Sequence, residues 1–221
     1  MPRTGIFIVS WNRLALLRQT VDSLFAQLDV PATVTVIDNA SAPETRAWLA
    51  AEPRVRVQQL ATNRWVNGAH EAAWPADLTR HFDVVLCSDN DVQFRLPISL
   101  ACRLLDERPA YSVVSLQHSP EHPTLRETTW RGHRVAEKQY ERGTALLCRA
   151  VFLQENRPLP THQKLDFDWW LCRDGPGSVA RRGEMVAVLV GAARHLGWAR
   201  GDSTWQHEDI PEYPELKPPR R

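Results

Sequence analysis

Three times before residue 82, an apolar stretch runs into a short polar loop and then into a segment of helical period. Gly5 to Val9 leads into Ser10-Trp11-Asn12-Arg13, after which Leu14, Leu17, Val21, Leu24 and Phe25 recur at helical spacing. Thr33 to Ile37 leads into Asp38-Asn39-Ala40-Ser41 and a helix expected over 43–51, with Pro43 in its first turn. Arg54 to Leu60 alternates as a third strand, and a helix is expected over 69–78, which Pro75 must kink or end. Strands alternating with helices demand crossovers, and crossovers on both faces demand a covered, parallel sheet. The chain is therefore expected to be an α/β protein with a doubly wound sheet.

The fourth strand, Phe82 to Val92, delivers two acids one residue apart to its own end: Val84, Val85 and Leu86 precede Ser88-Asp89-Asn90-Asp91. Its apolar run does not alternate, which marks a strand buried on both faces. Ligands in open α/β sheets bind at the carboxyl ends of strands, so Asp89 and Asp91 stand where a ligand would be held. Two carboxylates suit a hard divalent cation. The alternative is a polar turn, which Asp and Asn favour.

Beyond Asp91 the sequence predicts a helix over 98–107, strands over 111–116 and 143–148, a short helix over 149–155, a helix opened by Asp166 and Asp168, and a last strand over 185–190. Between these, 118–134 is rich in Pro, His, Thr and Arg without period, and reads as a long surface loop or a short antiparallel excursion. From Ile210 to Arg221 the chain carries four prolines and no core, an extended or disordered tail. At 221 residues, one domain over 1–205 is expected, with halves 1–92 and 93–205 and a tail over 206–221.

Composition excludes several classes. With 27 Lys and Arg against 26 Asp and Glu, there is no basic footprint for nucleic acid. Cys87, Cys102, Cys148 and Cys172 are scattered, as buried free thiols are and zinc ligands are not. No signal peptide and no apolar run near the roughly 18 residues of a membrane helix is present, so a cytoplasmic protein is expected. Nine tryptophans are many for this size, and the indole is a large stacking surface for a flat ligand.

Taken together, Ile8-Val9-Ser10-Trp11-Asn12-Arg13, Val36-Ile37-Asp38-Asn39-Ala40-Ser41, Ser88-Asp89-Asn90-Asp91 and His195-Leu196-Gly197 occur in an order that resembles the inverting family 2 glycosyltransferases of the GT-A fold, from about Ile6 to Ser203. The resemblance implies transfer of a sugar from a nucleotide-sugar donor (UDP-, GDP- or TDP-linked) to a hydroxyl acceptor. That acceptor is a glycan or small molecule in preference to a modified nucleic acid base. It also implies Asp91 as the direct metal ligand, Asp89 toward the ribose or a metal-bound water, and His195 as a further ligand. Mn²⁺ or Mg²⁺ fits such a set, and Mn²⁺ tolerates the imidazole better.

On the same resemblance Asp38 would contact the base or ribose, while its own sequence context also allows an Asx turn. Ser10, Asn12, Arg13 and Asn90 belong with the nucleotide-binding set, and Trp11 either stacks on the base or packs internally. Asn63 and Asn67-Gly68 fall where the family has an Asn-x-Gly loop, with Arg64-Trp65 interrupting the spacing. Inversion needs a general base at the acceptor hydroxyl. Asp168 leads for that role, since Asp168-Trp169-Trp170 sets it beside an aromatic wall, and Asp166 is second; either acid could instead cap the helix. Two rival classes remain. A sugar-nucleotide nucleotidyltransferase would show a Gly-rich loop after the first strand, which Ser10 to Arg13 lacks. A non-catalytic glycan- or nucleotide-binding module would have lost the acids.

Overall fold

The computed structural model describes residues 2–161 and 166–199. Its elements in chain order are β1 (Thr4–Ser10), α1 (Leu14–Gln27), β2 (Ala32–Asp38), α2 (Pro43–Ala51), β3 (Arg56–Gln59), α3 (Trp65–Ala73), α4 (Leu78–His81), β4 (Val84–Asp89), β5 (Val92–Phe94) and α5 (Ile98–Glu107). They continue with β6 (Val113–Gln117), β7 (Arg126–Trp130), β8 (His133–Lys138), β9 (Ala145–Arg149), α6 (Ala150–Glu155), α7 (Phe167–Trp169), β10 (Val186–His195) and α8 (Leu196–Ala199). The expected tail over 206–221 and the boundary at 205 lie outside the described residues.

One mixed sheet organises the molecule, in the order β3-β2-β1-β4-β9-β6-β10-β8-β7, with β5 pairing β10 off this path. The first four strands are parallel, as the strand–loop–helix repeats require. β9 then enters antiparallel between β4 and β6. Because strand side chains alternate in direction, β1 and β4 feed two cores: Ile6, Ile8, Val84 and Leu86 meet α1 and α5 on one face. Phe7, Val9, Val85 and Cys87 meet α3, α4 and α6 on the other. Burial on both faces is the reason these strands show no polar alternation, and each such side chain contributes about 1.5–3 kcal/mol. All four cysteines are free and buried, as expected.

The differences from the sequence reading have local causes. α3 begins at Trp65 and stops at Ala73, because Trp74 precedes Pro75 and is driven into the extended region at φ −74°, ψ 141°. Segment 118–134 takes the second of its two readings: β7 and β8 form an antiparallel hairpin joined by Arg131 and Gly132. β10 runs five residues past the expected end at residue 190, because a register shift between Val188 and Ala193 lets it change partner. Gly191 sits inside that irregularity at φ +85°, a conformation open to glycine and strained for other residues. Past it, Ala193, Arg194 and His195 pair antiparallel with Phe94, Gln93 and Val92 of β5.

A buried His70 on α3 makes the fold acid-sensitive. Its ring stacks on Trp74 and tilts against Phe167, each at a centroid distance of 4.9 Å. Its Nδ1 has no hydrogen-bond partner. Burial pushes its pKa down from 6.5 to about 3. The unfolded chain therefore binds a proton that the folded chain refuses between those values, and stability falls as pH drops below 6.5, by about 1.4 kcal/mol per pH unit. Thermal melts at pH 7.5 and 5 should differ by about 2 kcal/mol on this account. His70→Gln should flatten that dependence, and an unchanged slope in the variant would rule His70 out as its source.

Candidate active site

The carboxyl ends of β1, β2 and β4 open into a cavity of about 550 Å³, within the usual size of a small-ligand site. Its walls include Trp11, Asn12, Arg13, Asn67, Asp89, Asn90, Asp91, Asp166, Asp168 and His195, nearly every residue singled out from sequence. Ser10 and Asp38 lie behind this wall, both fully buried.

The loop after β1 is held by its neighbours. Asn12 N donates to Ser41 Oγ at 2.9 Å, and Asn12 Oδ1 accepts from Ala42 N at 2.8 Å. Asn90 Nδ2 reaches Ser10 Oγ and Asn12 O, both at 3.2 Å, so the middle residue of the acidic motif fastens the β1 loop. Asp38 is the Asx turn that its context allowed: Oδ1 accepts from Ser41 N at 2.9 Å. Its Oδ2 takes Gln59 Nε2 at 3.2 Å and an ion pair with Arg46 at 3.4 Å. Asn39, the next residue, is the one that lines the cavity. It clamps the loop before α3, accepting from Arg64 N at 2.7 Å and donating to Asn63 Oδ1 at 2.9 Å and Trp65 O at 3.3 Å. Asn67 Nδ2 donates to Pro160 O at 2.9 Å.

Backbone strain concentrates here. Of the five non-glycine residues with positive φ among those described, Asn12 (55°), Arg13 (55°) and Trp65 (59°) line the cavity, and Ala40 (65°) lies beside Asn39. Such conformations cost on the order of 1–3 kcal/mol each and persist where the surroundings over-determine them.

The acidic end of β4 meets the end of β10. Leu196 N donates to Asp91 O at 2.7 Å, continuing the β5–β10 pairing and bringing His195 to the acids. One ligand atom from each of Asp89, Asp91 and His195 lies within 4.8 Å of the others. Arg13 Nη1 donates to Asp91 Oδ2 at 2.9 Å. His195 Nε2 comes within 3.0 Å of the same oxygen without a hydrogen bond forming, and Asp91 Oδ1 is buried with no partner at all. Buried polar atoms are normally satisfied, so these orphaned atoms converging with a second carboxylate fit a cation. Asp89 carries the electrostatic signature: burial, then the charges of Asp91 and Asp168, hold its pKa well above the carboxylate range, against the pull of Arg13. A set of two carboxylates and one imidazole suits Mn²⁺ or Mg²⁺.

The opposite wall comes from the chain before β9 and from α7. Asp168 Oδ2 accepts from Tyr140 OH at 2.7 Å and from Gly143 N at 3.0 Å, and Oδ1 from Trp169 N at 2.9 Å. A Cβ on Gly143 would lie 3.3 Å from Asp168 Cβ, so glycine permits this approach. Burial, then the charge of Asp168, pushes the Tyr140 hydroxyl up and keeps it protonated. Asp166 is exposed and makes no capping bond to the helix. Partial burial and the charge of Asp168 raise its pKa, with Arg142 opposing.

Lys138 and Glu141, both fully buried and 2.7 Å apart, stiffen this wall. Lys138 Nζ also donates to Ser119 O at 2.5 Å, and Glu141 accepts from Ser119 N and Arg142 N. Tyr140, Arg142, Gly143 and His122 were not legible as site residues. His122, Tyr140 and Arg142 sit in stretches without period and Gly143 at the first position of an expected strand, and the pairing of β9 with β4 sets the chain just before β9 beside the acids.

The model of the glycosyl transferase family 2 domain matches residues 5–177. The chain belongs to that family. Solved structures share its GT-A fold: S. aureus TarS superposes with a TM-score of 0.61 at 18% identity, over 85% of this chain and 35% of TarS. The mannosyltransferase PcManGT of Pyrobaculum calidifontis, in complex with GDP-Man and Mn²⁺, gives 0.58 at 18% over 85% of this chain and 56% of that one. GalNAc-T7 with UDP, GalNAc and Mn²⁺ gives 0.61 at 12% over 86% and 42%. The family 2 chain thus spans between 35% and 56% of the length of these structures. A search of the curated proteins gives no match. Among the described residues, no helix is long and apolar enough to cross a membrane.

Proposed function

We propose that this family 2 chain is a metal-dependent, inverting glycosyltransferase that moves a sugar from a nucleotide-sugar donor to the hydroxyl of a glycan or small molecule. The observation that carries the reading is the convergence of Asp89, Asp91 and His195 in a cavity that also holds Asp166 and Asp168. Residues 1–92 supply the nucleotide side and 93–205 the acceptor side. A cytoplasmic location is carried forward from the sequence as part of the same proposal. PcManGT and GalNAc-T7, bound to nucleotide or nucleotide sugar and Mn²⁺, support the donor class by likeness of fold. The rival classes gain nothing, because the β1 loop offers no glycine cradle and both acidic pairs face the cavity.

In this reading Asp91, Asp89 and His195 would hold a divalent cation, whose charge would supply stabilisation of the negative charge on the departing diphosphate. Arg13, already on the wall beside Asp91, has a guanidinium suited to phosphate oxygens. Asp168 is the general base. Tyr140, Gly143 and Trp169 fix its position on the wall of the cavity that also holds Asp89 and Asp91. The acceptor oxygen attacks the anomeric carbon while its proton passes to Asp168. The bond to the diphosphate breaks with its electron pair, inverting the centre. Asp166, at the exposed end of the same wall, is the second carboxylate of the acceptor side.

Differential scanning fluorimetry against UDP, GDP, TDP and their sugars, with and without Mn²⁺, tests the reading. A matching nucleotide at ~100 times its Kd should stabilise by about 2.7 kcal/mol, several degrees for a chain of this size, and only with the metal. If no nucleotide gives a metal-dependent rise, the proposal loses its basis.

A further inference from the structure

Lys138 ends β8, and Glu141 follows in the connection that leads to β9. Both side chains are fully buried, and they form an ion pair at 2.7 Å. The pair is bonded to backbone on two sides. Lys138 Nζ donates to Ser119 O, and both Glu141 oxygens share Ser119 N at 3.2 Å. Glu141 Oε1 also accepts from Arg142 N at 3.0 Å. The stretch just after β6 and the connection from β8 to β9 are thereby tied together in the interior.

Stability alone is a poor reason for such a pair. Taking two charges out of water costs so much that apolar side chains of similar volume usually serve a buried place as well or better. Geometry is the better reason, because the tied connection carries the two groups that hold Asp168 Oδ2. Tyr140 OH donates to that oxygen at 2.7 Å and Gly143 N at 3.0 Å. Asp168 itself belongs to α7, so these two donors fix its carboxylate from a different part of the chain. With Oδ2 engaged by two donors and Oδ1 by Trp169 N alone, Oδ1 is the oxygen that keeps a lone pair for an incoming proton.

We propose that the Lys138–Glu141 pair is the positioning element of the general base. It holds Tyr140 OH and Gly143 N on Asp168 Oδ2 and so leaves Oδ1 to take the proton of the acceptor hydroxyl. Neither residue of the pair touches substrate; both act through Asp168. The inference rests on the transferase reading and deepens it.

The double variant Lys138→Met/Glu141→Leu removes both charges and their bonds to backbone while keeping side chains of similar volume. Its melting temperature should stay near that of wild type, and its Mn²⁺-dependent nucleotide affinity within about twofold. Amide exchange at Gly143, read by NMR, should nonetheless quicken at least about tenfold, a local opening without global unfolding. Donor hydrolysis, in which water supplies the attacking hydroxyl, should show kcat lowered at least about tenfold, toward the 10² that a misplacement of about 1 Å can cost, with donor KM unchanged. Lys138→Met/Glu141→Gln keeps an oxygen for Ser119 N and Arg142 N and should recover most of both losses. Unchanged exchange at Gly143, unchanged kcat, or no recovery in the Gln variant overturns the positioning role. A melting temperature that falls in step with kcat, or a chain that does not fold, makes the pair a structural tie and overturns it too. These results leave nucleotide and metal binding by wild type, and with them the transferase reading, standing. Wild type that binds no nucleotide with Mn²⁺ and hydrolyses no nucleotide sugar overturns that reading, and this inference falls with it.

Discussion

Asp91→Ala is expected to abolish Mn²⁺-dependent nucleotide binding, with a loss of affinity greater than about 100-fold. Loss of residues that merely support metal ligands costs 10- to 100-fold, and removal of the ligand at the centre of the cluster should exceed that. Asp91 is the point on which Arg13, His195 and Asp89 converge, and its Oδ1 is buried without a partner inside the protein. Electron paramagnetic resonance of Mn²⁺ checks the prediction: wild type should lower the free-ion signal beyond the level that the nucleotide alone sets, and the variant should leave it at that level. Binding that survives Asp91→Ala unchanged would move the metal away from the end of β4.

Asp168→Asn should separate binding from chemistry. The side chain keeps its size and, with its oxygen turned to Tyr140 OH and Gly143 N, gives up only the bond from Trp169 N, so donor affinity should stay within about twofold while kcat falls by about 10²–10⁴, the usual contribution of a general base. Asp166→Asn in parallel gives the comparison, since Asp166 is exposed and accepts no helix-capping bond. Turnover at the wild-type rate by Asp168→Asn, with loss in Asp166→Asn, would transfer the base role to Asp166.

What could be read from the sequence is what is encoded locally. Val84 to Cys87 announces burial on two faces by failing to alternate, and Ile98 to Glu107 announces its helix by an apolar stripe at Ile98, Ala101, Cys102, Leu104 and Leu105. The acids at the end of β4 were legible because a strand's end is where an α/β sheet holds its ligand. What escaped depends on distant pairings. β5 has three residues, too few for any period, and exists because β10 bends at Gly191 to meet it. β7 leaves Arg126 to Thr129 exposed at a sheet edge, so no apolar alternation marks it. Tyr140 and Gly143 meet Asp168 28 and 25 positions further along, a contact no local pattern announces. Asp38 shows the converse: its motif was visible, while the inward turn of its carboxylate depends on Gln59 and Arg46.

The account turns on one claim, that the cluster of Asp89, Asp91 and His195 holds a cation which in turn holds a nucleoside diphosphate. Isothermal titration of wild-type protein with the nucleoside diphosphate that stabilises it most, once with Mn²⁺ and once after chelation, measures this directly. The account predicts a single site per chain with Mn²⁺ and a large loss of affinity in chelator. Equal affinity with and without the metal would contradict it.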